Sequence, residues 1–410
     1  MEQTIALLES IAQADGCLRA HLERGDLASA GTLAGELPPA IQTVAERLAR
    51  RASLPSLPES IPADASGLGG WLDQLEHWLW HALWYAENLR IEQPASLKPR
   101  CALDRQFLSW IEEIRVLPQE KLFSRIQKHF LAQSPEDQQA LEVYFKTFTF
   151  WGSLDREAGD FTIWQNKAES FHAHWRDYLW LYQRLEDYRS RQLLFGIVNN
   201  WYRQDYHTLA LAVEHAWPDY FDPDLMPCDE NEVLVDLGAY NGDTVLEYMK
   251  VYGRYKKIYC YEITPATFRL LRQVTQKFPQ IECRMKGAGK ERGQMFISAN
   301  PASTSANVLT GQGNIPVEVV SIDEDIAEPI TFIKMDIEGA EQSALLGCSR
   351  HIQREHPKLA ISVYHNNEDI WKIPRMIDEI CPGYRFWLRY HGGNRYPTEI
   401  SLLAVYGQTI

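Results

Sequence analysis

The chain has 410 residues, 45 % of them hydrophobic and 23 % charged, with a formal net charge of −14. At roughly 100–200 residues per domain, two or three domains are expected, with ample apolar material for buried cores. The acidic balance counts against nucleic acid or an anionic membrane as main partner, since both require a concentrated positive field.

The N-terminal MEQTIALLESIAQADG has no basic region followed by an apolar core, so no signal peptide is expected. From residue 1 to about 225 apolar residues recur at helical spacing, and eleven of the thirteen tryptophans lie there. A small helical unit is followed by ASLPSLPESIPADASGLGG (52–70), which reads as a linker or long loop. Helices are predicted at 71–90, 104–114, 119–131, 135–147, 165–185, 187–203 and 206–215. The richest apolar segment, Trp71 to Ala86, is broken by Asp73, Glu76, His77 and His81, so no membrane span is predicted.

After PDYFDPDLMPCDENE the pattern changes, and a domain boundary is expected at 225/226. Strands are predicted at 233–237, 257–262, 281–287, 293–298, 317–322, 331–336 and 359–365. Helices fall between them, from about 242, at 265–277, from about 339 and at 368–380. This alternation predicts a doubly wound, Rossmann-like α/β sheet covered on both faces. A closing pair, 384–390 and 399–406, reads as an antiparallel hairpin at its edge.

The first strand runs into Asp236-Leu237-Gly238-Ala239-Tyr240-Asn241-Gly242-Asp243-Thr244, and the second ends in Glu262. In such sheets ligands bind beyond the carboxyl ends of the strands. Gly238 lets backbone approach a ligand, Gly242 opens a helix, and Glu262 is placed to accept ribose hydroxyls. Two cofactor classes share this layout. Nicotinamide domains use G-x-G-x-x-G around a pyrophosphate. Here the order is D-x-G-x-x-x-G, and an aspartate beside the loop suits the ammonium of S-adenosylmethionine better than a pyrophosphate.

Residues 226–406 resemble the FkbM family of S-adenosylmethionine-dependent methyltransferases. The resemblance is carried by VLVDLGAYNGDT, YCYEITPATFRLL, LAISVYHNNEDIWKIP, TEISLLAVYG and, above all, TFIKMDIEGAEQSALLG with Asp336, Glu338, Gly339 and Glu341. The segment 170–225 resembles the helical run that often precedes this domain; residues 1–145 resemble nothing recognised. Near the closing hairpin the family often has Glu-Thr, whereas this chain reads Thr398-Glu399, which weakens any role there. The resemblance implies methyl transfer, commonly to an oxygen of a sugar, polyketide or lipid-like product.

The expected cofactor residues are Asp236, Gly238, Tyr240, Asn241, Gly242 and Asp336 around the methionine part, Glu262 on the ribose, and Ile263 with Gly287 and Ala288 at the adenine. Methyl transfer to a hydroxyl calls for a base within reach. Asp336 is expected to position the cofactor methionine or acceptor, and Glu338 or His365 to serve as base. Glu341 falls in a first helical turn, where the dipole alone favours an acid. Lys334 is expected to pair with one of these acids. A divalent ion on Asp336 and Glu338 would have only two carboxylates, so no metal is expected.

Other candidates carry less. His77 and His81 have zinc-compatible spacing but no third ligand, His172 and His174 diverge on a helix, and Trp78, Trp80 and Trp84 suit a core. The N-P-P-Y signature of amino-methylating nucleic-acid enzymes is absent. Seven scattered cysteines without a C-x-x-C pair predict free thiols in a cytoplasmic protein. The expected activity is O-methylation of a small-molecule or glycan acceptor, the helical half binding acceptor or forming an oligomer contact. The alternatives are a non-catalytic binding or scaffolding module on this fold and a nicotinamide-dependent oxidoreductase.

Overall fold

The computed structural model, which describes residues 2–24, 26–48, 65–298, 308–310, 315–393 and 395–407, forms helices where apolar residues recur every three or four positions. The chain divides into two compact units, Met1–Pro99 and Arg100–Ile410. In the first, helices Glu2–Glu23, Leu27–Leu48 and Ala65–Ile91 bury Leu8, Leu18, Val44, Leu48, Leu75 and Trp78. Of the linker expected over 52–70, residues 52–64 lie outside the described residues and 65–70 belong to the third helix. The side chains of His77, Trp80 and Trp84 also lie outside the described set.

In the second unit come helices Ala102–Val116, Gln119–Leu131, Pro135–Thr147, Thr162–Arg184, Tyr188–Arg203 and Tyr206–Ala210. Side chains set their starts. Ser134 caps the third by accepting from Asp137 N at 3.1 Å, and Asp187 caps the fifth by accepting from Ser190 N at 2.7 Å. The last helix stops at Ala210, not 215, because the chain turns there and Glu214 N donates to Tyr390 O at 2.7 Å.

The strands are β1 (Val233–Leu237), β2 (Lys257–Tyr261), β3 (Ile281–Arg284), β4 (Gly287–Ala288), β5 (Gly293–Ser298), β6 (Val308–Thr310), β7 (Ile315–Val320), β8 (Phe332–Met335), β9 (Lys358–Ser362), β10 (Tyr384–Tyr390) and β11 (Ile400–Tyr406). Seven form the main sheet in the order β10-β11-β9-β8-β1-β2-β3. β3, β2, β1, β8 and β9 run parallel, while β11 is antiparallel to both β9 and β10. This is the doubly wound sheet with an antiparallel C-terminal hairpin that the alternation predicted. The strand expected over 281–287 is two. β3 ends at Arg284, and β4 joins β7, β5 and β6 in a second, four-stranded sheet. Strand order reverses between β1 and β8, so a crevice opens at their carboxyl ends.

The change of periodicity near 226 marks a change of element type rather than a gap between units, since the helices after Arg100 share a unit with the sheet. β10 is an edge strand, and an uncovered edge invites pairing with another chain. Here Glu186 N donates to Phe386 O at 3.1 Å, and Leu388 N donates to Ser190 Oγ at 2.9 Å. The helical segment therefore takes up donors and acceptors that the edge would leave free. Among the described residues no helix is long and apolar enough to cross a membrane.

Arg389 of β10 ties the layers together. It reaches Asp187 at 3.0 Å and Asp222 at 3.1 Å, with Glu214 3.8 Å away. Its side chain is 7 % exposed, and those of Asp222 and Glu214 are 5 % and 2 % exposed. Removing the cation from such a site leaves buried carboxylates without compensation. Arg389→Met is therefore expected to destabilise the protein by about 3–5 kcal/mol in urea denaturation; a loss below about 1 kcal/mol would show that the layers hold together without it.

Candidate active site

A cavity of about 360 Å³ opens at the carboxyl ends of the central strands. Its wall contains Gly238 and Tyr240 from the loop after β1, Glu262 and Ile263 after β2, Gly287 and Ala288 of β4, and Asp336 and Glu338 after β8. Four of the expected residues do not line it: Asp236, Asn241, Gly242 and His365. The reason differs for each.

Asp236 is fully buried, one residue short of the strand's end, and Lys334 Nζ stands 3.1 Å from it. The two residues are direct neighbours across β1 and β8. Lys334 was expected to pair with Asp336, Glu338 or Glu341; its ion-pair partner is Asp236, because alternation turns both side chains to the same face of adjacent strands. Lys334 Nζ also donates to Gly238 O at 2.8 Å and lies 5.1 Å over the Tyr220 ring. Asn241 turns back on its own loop, accepting from Asp243 N at 3.0 Å. Gly242, at φ +92°, packs against Leu271 and Val274 at the start of helix Asp243–Tyr252.

Gly238, at φ +80°, cannot be replaced without movement, because a Cβ there would lie 1.8 Å from Asp336 O. Its N–H and that of Ala239 donate to Tyr261 O at 3.0 and 2.9 Å, tying the loop to the end of β2. Glu262 Oε1 accepts from Thr264 N at 2.6 Å and Thr267 Oγ1 at 2.9 Å, so its carboxyl is held in one pose at the cavity wall. Burial pushes that carboxyl above the usual range.

The turn after β8 holds the acids. Burial would raise Asp336, but Lys334 and His365 hold it below the usual carboxylate range. Asp336 Oδ2 also accepts from Tyr220 Oη at 3.0 Å. Glu338 sits at φ +55°, and burial together with Asp336, Glu341 and Glu399 pushes its carboxyl up to about 8. His365 lies one layer behind, 2 % exposed. Its Nδ1 is 2.9 Å from Glu341 Oε1, and its Nε2 is 3.6 Å from Asp336 and 3.5 Å from Glu338. Burial would lower it, yet these three carboxylates raise it to about 10. Glu341 does more than answer a helix dipole: the same Oε1 accepts from Ile337 N at 2.9 Å, which ties the turn to the imidazole.

Several lining residues have no signal in the sequence pattern: Asp219, Tyr220, Lys286, Tyr364 and Glu399. Tyr220 falls in the Pro- and Asp-rich stretch that reads as a boundary, and nothing periodic marks it. Glu399 belongs to the Thr398-Glu399 pair that departs from the family pattern. It sits at φ +53° in the cavity wall, accepts from Tyr364 Oη at 3.3 Å, and is pushed up to about 7 by burial and by Asp336 and Asp219. The helical half also arrives here. Trp151 Nε1 donates to Tyr364 O at 2.6 Å, and the Phe150 ring lies edge-on to His365 at 6.4 Å.

Residues 236–392 match the family model described as the methyltransferase FkbM domain. Among solved structures the chain is similar to a methyltransferase FkbM from Methylobacillus flagellatus KT, with 28 % identity over 58 % of this chain and 60 % of that one and a TM-score of 0.49. An rRNA methylase from Streptococcus thermophilus is 14 % identical over 45 % of this chain and 91 % of that one, TM-score 0.31. Fibrillarin from Aeropyrum pernix, solved with natively bound S-adenosyl-L-methionine, is 14 % identical over 43 % and 67 %, TM-score 0.28. The chain thus spans 60 % of the Methylobacillus protein's length. No curated protein matches it.

The contact at Gly238 generates a direct test. Gly238→Ala meets both a left-handed backbone and a carbonyl that cannot retreat without parting the turns after β1 and β8. It is expected to cost at least about 2 kcal/mol, measured by thermal or urea unfolding; an unchanged midpoint would mean that the two turns do not meet as described.

Proposed function

Given that residues 236–392 form a methyltransferase domain of the FkbM type, we propose that this protein transfers the methyl group of S-adenosylmethionine to a hydroxyl oxygen of a small-molecule or glycan acceptor, such as a sugar or polyketide. The observation that carries the proposal is the pairing in one cavity of Glu262 at one wall with Asp336 and Glu338 at another. The cavity volume, about 360 Å³, is within the range of small-molecule sites. The lining suits the cofactor chemically: a pinned carboxylate for ribose hydroxyls, Ile263 and Ala288 for the adenine, and acids for a cationic amino-acid end. Bound there, the cofactor would supply an activated methyl group on a cationic sulfur.

The protein's own contribution is then positional. Asp336, fixed by Tyr220, holds the cofactor's amino-acid end or the acceptor. Glu338 stands in the cavity wall, where it can take the proton that an acceptor hydroxyl loses. His365 stands behind Glu338 and Asp336, and its charge favours the carboxylate form of both. Trp151 and Phe150, just before the helix Thr162–Arg184, back the cavity wall from behind by their contacts with Tyr364 and His365.

Two other readings fit the site less well. A nicotinamide enzyme would offer free N–H groups to a pyrophosphate. Here those of Gly238 and Ala239 are spent on Tyr261 O, and those of Asp243 and Thr244 on Asn241 and Asp243 side chains at 3.0 and 2.8 Å. A non-catalytic module would have no need of the buried Glu341–His365 pair behind the cavity wall.

Calorimetric titration of the full chain with S-adenosylmethionine, S-adenosylhomocysteine and NAD separates the three readings: the first two are expected to bind and NAD is not. Glu262→Ala should weaken S-adenosylmethionine at least about tenfold, the loss of one charge-assisted hydrogen bond. With an acceptor in hand, Glu338→Gln should lower turnover about 100-fold at unchanged cofactor affinity. Full turnover in that variant would remove Glu338 as the base.

A further inference from the structure

Behind the cavity, three side chains carry buried polar atoms with no hydrogen-bond partner: Asp336 Oδ1, Glu341 Oε2 and His365 Nε2. Buried polar atoms are nearly always satisfied, and two of these, Asp336 Oδ1 and His365 Nε2, face each other at 3.6 Å and call for a common explanation. Asp336, Glu341 and His365 each bring one ligating atom within 4.8 Å of the others; Glu341 spends an oxygen on His365 Nδ1, and on the Nε2 side Glu338 Oε2 stands at 3.5 Å.

The orientation of the imidazole makes the arrangement directional. Glu341 Oε1 engages Nδ1 at 2.9 Å, which turns Nε2 toward Asp336 Oδ1 at 3.6 Å and Glu338 Oε2 at 3.5 Å. Both separations are too long for hydrogen bonds. They are close to the spacing of adjacent ligands around an ion whose own bonds measure about 2.0–2.2 Å. A histidine whose second ring nitrogen is held by a carboxylate is the usual setting of a ligating imidazole. Two carboxylates alone would make a sparse site; the histidine on β9's carboxyl side completes a three-residue set whose mixed nitrogen and oxygen donors suit a transition metal better than calcium.

We propose that Asp336, Glu338 and His365 Nε2 bind one divalent transition-metal cation, with Glu341 as the positioning residue that aims the imidazole. Because Asp336 and Glu338 also line the cavity, the ion's remaining positions open toward the acceptor. An acceptor hydroxyl on the ion would lose its proton more readily, and the second oxygen of Glu338 is there to receive it. The site itself stands on geometry alone; only this catalytic use of it rests on the methyltransferase reading.

The test uses the full chain, stripped with chelator and titrated with Mn²⁺ by electron paramagnetic resonance, with S-adenosylhomocysteine binding measured in parallel. One Mn²⁺ per chain is expected, with spin-echo modulation from one imidazole nitrogen. Glu341→Gln should weaken the ion about 10–100-fold, and His365→Gln should weaken it further and abolish the nitrogen signal. Failure to bind Mn²⁺ at millimolar concentration, or bound Mn²⁺ without a nitrogen ligand, overturns the proposal, and both are read on the unaltered protein should a variant fail to fold. Unchanged affinity in a folded His365→Gln would do the same. S-adenosylhomocysteine binding without Mn²⁺ binding would reject the cation and leave the methyltransferase reading standing; Mn²⁺ binding without S-adenosylhomocysteine binding would do the reverse.

Discussion

The site depends first on the buried pair Asp236–Lys334. Both side chains are almost wholly out of water, on adjacent parallel strands, 3.1 Å apart. Each charge alone would carry a desolvation cost of several kcal/mol, which only the other offsets. The pair sits where strand order reverses, so it holds β1 and β8 in register at the point where the crevice opens. Lys334 also fixes the carbonyl of Gly238, and its charge helps keep Asp336 ionised. One ammonium thus acts on both the loop after β1 and the acid after β8, which share the cavity wall.

From that anchor the turn after β8 can be crowded with acids. Asp336, Glu338 and Glu341 lie within six residues, and Glu399 comes from the closing hairpin to join them. Glu338 and Glu399 both occupy left-handed backbone, an uncommon state for non-glycine residues that tends to occur at working sites. His365 stands among Asp336, Glu338 and Glu341. Four carboxylates around one enclosed space favour whatever brings positive charge, whether a protonated imidazole, a sulfonium or a metal ion.

The helices between Arg100 and β1 belong to this site as much as to the scaffold. They cover the β10 edge through Glu186 and Glu214 and share Arg389 with the sheet, and the segment among them brings Trp151 to Tyr364 and Phe150 to His365. This answers how a chain with so many tryptophans before residue 226 uses them. Trp110, Trp164 and Trp180 are buried in the helical layer itself, whereas Trp151 bonds to the segment after β9.

The sequence by itself determined the elements and their chemistry. Short β-branched runs located β1, β2, β8, β9 and the hairpin to within three residues at either end, because each is a short stretch whose burial is written in its own side chains. The D-x-G-x-x-x-G loop, Glu262 and the Asp336–Glu338 turn were legible for the same reason: strand ends place them at the sheet's carboxyl edge whatever surrounds them. Tertiary structure alone decided how these parts combine. Nothing local distinguishes Asp236, buried against Lys334, from Asp336, in the cavity wall; the difference is two residues along the sheet, Asp336 falling level with Gly238 just past the end of β8, and the neighbour across the sheet. Tyr220 and Glu399 entered the site from segments read as a boundary and as a hairpin with no assigned role, and Glu341 turned from an acid answering a helix dipole into the partner of His365. Those roles come from contacts between residues 24 to 116 positions apart, Glu341 with His365, Glu399 with Tyr364 and Tyr220 with Asp336, and periodicity along a chain carries no information at that range.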